Sequence, residues 1–265
     1  MKYATNHTQR RWQQAEKMSD KHDIETYSKL AEGATFFLDE SFKYIHEALS
    51  SEFASDIFGK MLNQIDATDQ DRKIANNLEI GNDTIEILQS NIDNPLSKET
   101  LKNISAAWEK ANIISQSKTQ KFKLNHKIKS IELLGHLNNL GFLVETLVNR
   151  HLLFLVQTKK ISDFSYSRIS IAKIMERLIF IFKDELNENK IHLNEITKLF
   201  SLRNKTVHYT PDNAIALKPR ISELIAIWKQ CQKIFEQLEK VEKFNEVTFS
   251  KRIEHYINEF KANWS

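Results

Sequence analysis

Apolar residues recur three and four positions apart along most of the chain, which is the spacing of amphipathic helices. The first half holds this pattern over three stretches, which are residues 23–64, 74–92 and 97–115. The second half holds it over five stretches, which are residues 126–158, 169–186, 193–209, 220–241 and 250–263. The 265 residues include 5 Gly and 3 Pro, too few for the many turns of an all-β protein. We therefore predict an all-α fold.

The second half is more strongly patterned and predicts an antiparallel helical bundle with a C-terminal tail helix. Its first helix ends in five consecutive apolar residues, 152–156. A helix end that is apolar all round is buried either inside the bundle or in an oligomer interface. Pro211 is expected to end the helix predicted at 193–209, because proline lacks an N–H and disfavours helix in the residue before it. Three tryptophans fall within the apolar stripes and are predicted core residues: Trp108, Trp228 and Trp264.

A polar, basic stretch at residues 115–123 shows no apolar periodicity and marks the predicted boundary between two units. These units are an N-terminal helical region of unknown role, 1–117, and the bundle, 118–265. The first carries 13 Lys and Arg against 19 Asp and Glu, net −6, and the second carries 25 against 16, net +9. Opposite net charges predict different partners, with the basic unit able to meet a polyanion. The alternative is the lysine-rich helix surface that many proteins have.

Composition excludes several classes of protein. Cys231 is the single cysteine, which excludes a disulfide framework and a cysteine-rich zinc site. Residues 1–18 have no apolar core, so no secretory signal is expected, and no run of 18 apolar residues predicts a membrane span. The glycines form no phosphate-binding loop. We expect a cytoplasmic protein without cofactor or metal.

The segment at residues 203–208, Arg-Asn-Lys-Thr-Val-His, carries the strongest chemical signal. On a helix, Asn204 and His208 are four residues apart and share a face, while Arg203 lies roughly 140° around the axis from His208. His208 can take a proton from an RNA 2′-hydroxyl, and Arg203 can stabilise charge on the phosphate. Asn204 can orient either group. The pattern therefore favours metal-independent cleavage of RNA, because DNA lacks the 2′-hydroxyl.

Residues 199–208, Leu-Phe-Ser-Leu-Arg-Asn-Lys-Thr-Val-His, resemble the signature of HEPN domains. These domains are helical bundles with an Arg-Asn-x-x-x-His motif on a late helix. Glu145 lies on the predicted long early helix, where many HEPN proteins carry an acidic residue near the site. Residues 170–178 are similar to the intervening helix. The resemblance covers residues 126–240, and only the six-residue motif is specific.

Many HEPN proteins are metal-independent endoribonucleases of toxin–antitoxin, phage-defence and RNA-guided immune systems, with active sites where two motif-bearing helices meet across a dimer. The resemblance therefore implies an RNA substrate, a homodimer with the site at its interface, and an antitoxin or regulatory protein as a further partner. No nucleotidyltransferase-type carboxylate cluster is present, so a paired antitoxin enzyme would be a separate chain. Because some HEPN proteins are inactive, the alternative is a non-catalytic interaction or scaffold module.

The resemblance also implies roles for individual residues. The catalytic set is His208 as acid and base, Arg203 as phosphate binder, Asn204 as positioning residue and Glu145 as orienter. Lys205 and Tyr209 are the predicted RNA-binding residues. Structural interpretations stand beside these roles: Arg203 and His208 could serve the dipole at a helix C-terminus, and Glu145 could pair with a cation on the next helix.

Other polar residues carry weaker signals. Glu132 and His136 are four apart and could share a metal, but no second pair accompanies them, so a solvated or helix-stabilising pair is favoured. Arg150 and His151 are expected at a helix surface or interface. Five lysines form a basic cluster that either contacts RNA phosphates or lies in a solvated linker, the second being favoured: Lys118, Lys121, Lys123, Lys127 and Lys129.

Overall fold

The computed structural model describes residues 24–62, 98–117, 121–188, 190–242 and 248–265. Within these ranges the chain forms nine helices and no strand, which confirms the predicted all-α fold. In chain order the helices are α1 (Ile24–Leu62), α2 (Lys98–Ser117), α3 (Leu133–Gln157), α4 (Asp163–Ile169), α5 (Ile174–Asn187), α6 (Asn194–Val207), α7 (Pro211–Ala216), α8 (Ile221–Glu242) and α9 (Phe249–Trp264). The helix predicted at 74–92 lies outside the described residues.

Apolar periodicity located the long helices well and some helix ends less well. α1, α2, α6, α8 and α9 begin and end within two residues of their predicted bounds. α3 begins seven residues after its predicted start, and α5, which corresponds to the helix predicted at 169–186, begins five residues after its predicted start. Periodicity missed the short helices α4 and α7, because capping side chains set where they begin. Ser162 and Thr210 each accept a backbone N–H three residues further on.

α3 is the central helix, and the side chains around it form one hydrophobic core. α1 lies along α3 and buries Leu38, Phe42 and Ile45 completely. α8 adds Trp228, whose ring centroid lies 5.1 Å from that of Phe42. The core therefore continues across the boundary predicted between residues 117 and 118. The division of the chain into two units there stays a prediction.

Three of the five residues at the apolar end of α3, 152–156, are buried inside the bundle, and the other two are partly exposed. Leu152 and Leu153 are 0% and 1% exposed. By length and composition α3 could cross a membrane. Within the protein, 61% of its most apolar 18-residue stretch is buried. The three tryptophans predicted to lie in the core are also buried.

Residues 121–130 form a non-helical segment that is held against the helices rather than a loose linker, while its four lysines are solvent-exposed, as the favoured interpretation of a solvated stretch expects. Phe122 donates its backbone N–H to the carbonyl oxygen of the last residue of α9 at 2.8 Å, and Ile128 is fully buried. The Glu52 carboxylate of α1 accepts the backbone N–H of Lys129 at 2.5 Å. These tethers explain why α3 begins later than its apolar pattern predicts.

His136, predicted to be solvated or to pair with Glu132, is instead a fully buried core residue. Trp228 donates its indole N–H to Nε2 of His136 at 3.0 Å, which leaves Nδ1 to donate to the carbonyl oxygen of Ser41 at 2.8 Å. Burial lowers the pKa of His136 to about 4, because a buried charged imidazole would lose its hydration. The neutral histidine therefore connects α1, α3 and α8 through hydrogen bonds.

A second buried polar cluster joins the same three helices near the other end of α3. Glu242 accepts hydrogen bonds from three groups, which are Arg150 Nη2 at 2.7 Å, His151 Nδ1 at 2.8 Å and the Tyr27 hydroxyl at 2.9 Å. Arg150 and His151 are 5% and 2% exposed, so the prediction that they lie at a helix surface or interface is wrong. Burial alone would raise the pKa of Glu242, but the hydrogen bond from His151 and the charge of Arg150 hold it below its usual range.

Glu242→Gln is expected to lower the free energy of unfolding by about 3–5 kcal/mol, because it removes the buried carboxylate charge that pairs with Arg150. The matched control is Glu236→Gln, which removes an exposed carboxylate of α8 that pairs with Lys240 at 3.1 Å. The control should cost less than about 1 kcal/mol. Both effects are measured by urea unfolding at neutral pH, and equally small effects would contradict a buried ion pair.

The Glu242 carboxylate also predicts how stability depends on acid. Its pKa in the folded protein lies below the ordinary value of 4.5. The carboxylate therefore contributes stability that is fully present above about pH 4.5 and is lost as the pH falls through the folded pKa. Acid titration should accordingly destabilise the wild-type protein more steeply than the Glu242→Gln variant.

Candidate functional site

α6 lies antiparallel along α3, and this packing positions the 203–208 motif. Ile196 and Leu199 of α6 are fully buried in the core. Near the end of α6, the Thr206 hydroxyl lies 2.6 Å from Oδ1 of Asn138, and one turn earlier Arg203 crosses Gly141. Later positions on α6 thus meet earlier positions on α3. The motif is therefore held on the surface of α3.

The Arg203 side chain is placed by two neighbours on α3, Phe142 and Glu145. Its Cζ lies 5.1 Å from the ring centroid of Phe142, within the range of a cation–π interaction. Its Nη1 lies 3.8 Å from Oε1 of Glu145, with the two side chains 20% and 31% exposed. Its Nε is inaccessible to solvent and has no hydrogen-bond acceptor among the described residues. The guanidinium is thus anchored on one side against α3.

Gly141 and Phe142 belong to the site although their residue types carry no catalytic signal. A Cβ atom at position 141 would lie 3.3 Å from Cγ of Arg203, so the glycine lets α6 approach α3 closely. Phe142 lies under the guanidinium. The signal that was present in the sequence is spacing, because Asn138, Gly141 and Glu145 recur at three and four residues and share one face of α3.

Asn204 and His208 lie at the exposed end of α6. The helix ends at Val207, and His208 adopts φ −108° and ψ 61°. Its backbone N–H still donates to the carbonyl oxygen of Asn204 at 3.1 Å, so the helical relation between the two residues persists. Within the described part of the chain, no hydrogen bond is formed by the Asn204 amide or the His208 imidazole. Both groups are open to a ligand.

Exposed apolar side chains flank the motif. Val207 and Tyr209 are 57% and 48% exposed, and Ile215 on α7 is 70% exposed. Tyr209, one of the two predicted RNA-binding residues, lies beyond the end of α6, whereas Lys205 lies on the helix and is half-buried. We call Val207, Tyr209 and Ile215 the apolar rim.

The structure shows which of the contacts proposed by the structural interpretations Arg203, His208 and Glu145 make. Arg203 contacts Phe142 and Glu145 of α3 rather than the carbonyl groups at the end of its own helix. His208 does lie at the C-terminus of α6, where a positive side chain favours the helix dipole. Glu145 pairs with a cation on another helix, and that cation is Arg203 of the motif.

In the described ranges, no group of three or more His, Cys, Asp or Glu side chains is placed to hold a metal ion. No family model, curated protein or solved structure matches this chain. The resemblance to HEPN domains therefore rests on the residues of the motif and the segments before it.

Thr206→Val is expected to lower the free energy of unfolding by about 1 kcal/mol, because it removes a buried hydroxyl that bonds Asn138 across the helix pair. The matched control is Thr197→Val, since the exposed Thr197 hydroxyl bonds only within α6, to the carbonyl oxygen of Leu193 at 3.0 Å. Chemical unfolding of both variants measures the difference. A larger cost for the control would show that Thr206 does not hold α6 on α3.

Proposed function

We propose that this chain is a metal-independent endoribonuclease that acts as a homodimer. The observation that carries the proposal is the position of the motif at the surface, with Asn204 and His208 exposed and Arg203 partly exposed. A motif buried in the core of a single chain would have no access to a phosphodiester. The resemblance of residues 199–208 to the HEPN signature supports the same function.

The reaction follows from the chemistry of the three side chains. The His208 imidazole removes the proton of an RNA 2′-hydroxyl, whose oxygen attacks the adjacent phosphorus and displaces the 5′-oxygen of the next nucleotide. Arg203 stabilises negative charge on the non-bridging oxygens, and Asn204 orients the phosphate. The products are a 2′,3′-cyclic phosphate and a 5′-hydroxyl. Glu145 acts through Arg203 as a positioning residue.

The proton balance of this reaction favours two copies of the chain. One imidazole takes the proton of the 2′-hydroxyl, and a second group must give a proton to the departing 5′-oxygen. A two-fold axis beside the end of α6 brings a second His208 to the same phosphate. We assign the contact between the copies to the apolar rim, whose exposed side chains lie at the end of α6 and on α7.

The proposed cellular role rests on the family resemblance alone. HEPN nucleases are known as toxins and anti-phage effectors, and the proposal extends this role to the present chain. An antitoxin or other regulatory protein would then hold the activity in check in the cytoplasm. The acidic charge of residues 1–117 suits contact with a basic partner.

The alternative is a non-catalytic interaction module. A second set of exposed apolar side chains favours it. These are Phe164 on α4, Ile171 in the turn after it and Ile179 on α5, which are 57%, 81% and 51% exposed. A scaffold would bind its partner through such a surface. It would retain its function when Arg203 and His208 are both replaced.

His208→Ala is expected to slow RNA cleavage in EDTA by about 10²–10⁴-fold, because general acid–base catalysis contributes that much. The matched control is His255→Ala on α9, whose side chain is 78% exposed. Cleavage is followed on total RNA by gel, with a DNA substrate in parallel that should stay intact. An inactive wild-type protein, or equal cleavage by the wild-type and His208→Ala proteins, would contradict the proposal and favour the scaffold.

Ile215→Glu is expected to convert the dimer to a monomer and to reduce cleavage in parallel, because it places a charge in the apolar rim. The matched control is Ile113→Glu on α2, where Ile113 is 67% exposed. The mass of each variant is measured by sedimentation or light scattering. A wild-type protein that is monomeric while it cuts RNA would refute the shared site.

A further inference from the structure

A basic cavity of about 390 Å³ lies beside α6, lined by residues of the helix, of the 121–130 segment and of the turn before α8. This volume is in the range of ligand-binding clefts. Four cations line it: Lys127, Lys198, Lys218 and Arg220. Its apolar floor includes Ile227, which is fully buried. The catalytic side chain Arg203 contacts α3 instead, so the cavity is a separate feature of the same helix.

Two of the four cations extend from directly opposite positions of the backbone. Lys127 and Arg220 face each other across an isolated antiparallel bridge. The flanking hydrogen bonds run from the N–H of Ile128 to the oxygen of Pro219 and from the N–H of Ile221 to the oxygen of His126, both at 3.0 Å. The facing residues are therefore a non-hydrogen-bonded pair, the kind whose side chains lie closest. Like charges directly opposite each other are unfavourable, and an anion bound between the two side chains would relieve this repulsion.

Little protein charge opposes the cations. Among the described residues, no carboxylate forms an ion pair with Lys127, Lys218 or Arg220. The carboxylate that lines the cavity, Glu223, accepts the backbone N–H of Arg220 at 2.8 Å. Lys198 pairs with Glu195 at 2.9 Å, but both side chains are solvent-accessible, and such a pair exchanges readily for another anion.

We propose that this cavity binds phosphate groups of the RNA chain next to the nucleotides that are cut, an inference that rests on the proposed function. The guanidinium group of arginine and the ammonium group of lysine bind phosphate oxygens. Ser201 lines the cavity, and Lys205 lies four residues later on the same face of α6. An RNA strand held in the cavity therefore continues along α6 past Lys205 towards His208.

The test is RNA binding by the His208→Ala protein, which removes cleavage from the measurement. The double substitution Lys127→Gln with Arg220→Gln is added, and a fluorescein-labelled single-stranded oligoribonucleotide is the probe. The expected result is binding weakened by about tenfold or more. The slope of log affinity against log salt should also fall by about 1.4, since each lost single-strand phosphate contact removes about 0.7.

The matched control replaces two exposed lysines of α8 that do not line the cavity, Lys229→Gln with Lys233→Gln. It should leave both affinity and slope nearly unchanged. The melting temperature of the cavity variant should stay the same or rise, because the like-charge pair is gone, and this shows that the variant folds. Equal affinities and slopes for the two double variants would overturn the proposal.

Two further results separate the cavity from the nuclease. A wild-type protein that binds RNA through Lys127 and Arg220 but leaves it intact would refute the nuclease and keep the cavity. Cleavage with unchanged KM when the same double substitution is made in the wild-type protein, with His208 intact, would refute the cavity alone. Inorganic tripolyphosphate is used as a competitor. If it binds the wild-type protein while the double substitution leaves the RNA affinity unchanged, the cavity binds a free phosphorylated ligand. That result would refute the RNA proposal.

Discussion

The packing of α6 against α3 is the constraint on which the candidate site depends. The hydroxyl of Thr206 meets Asn138, and Arg203 crosses Gly141 one turn away. A shift of α6 by one turn would separate Arg203 from Glu145 and move His208 by about 5 Å along the helix axis. Because one face of α6 is fixed on α3, its other face is left for the basic cavity. The two chemical features of the molecule therefore share one rigid element.

α3 in turn is held by two buried polar clusters, one near each end. The neutral imidazole of His136 forms hydrogen bonds with residues of α1 and α8. The Glu242 carboxylate accepts hydrogen bonds from Arg150 and His151. Buried polar groups need their partners in one geometry, and removing one partner leaves the other polar group buried and unsatisfied. These clusters fix the arrangement of the helices around α3. A site on such a scaffold keeps its geometry better than a site on a loop.

The sequence predicted the long helices because each buries one apolar face, and it predicted the motif because its residue types carry chemistry. The predictions failed where contacts with residues distant in the chain determine the local structure. The start of α3 depends on Glu52, which is 77 residues from Lys129 in the chain, and no local pattern contains that contact. His136 was misplaced for the same reason, since its partners lie on α1 and α8. Gly141 was missed because its role exists only where Arg203 crosses it.

The central claim is that the end of α6 cuts RNA by using the 2′-hydroxyl next to the scissile phosphate. The most direct measurement maps the cut sites of the wild-type protein on one RNA in EDTA and then repeats the reaction with a single 2′-deoxy nucleotide at one mapped site. The account predicts that this site alone is protected and that every other cut leaves a 2′,3′-cyclic phosphate and a 5′-hydroxyl. An RNA that is never cut, or cutting that continues at the deoxy position, would contradict it.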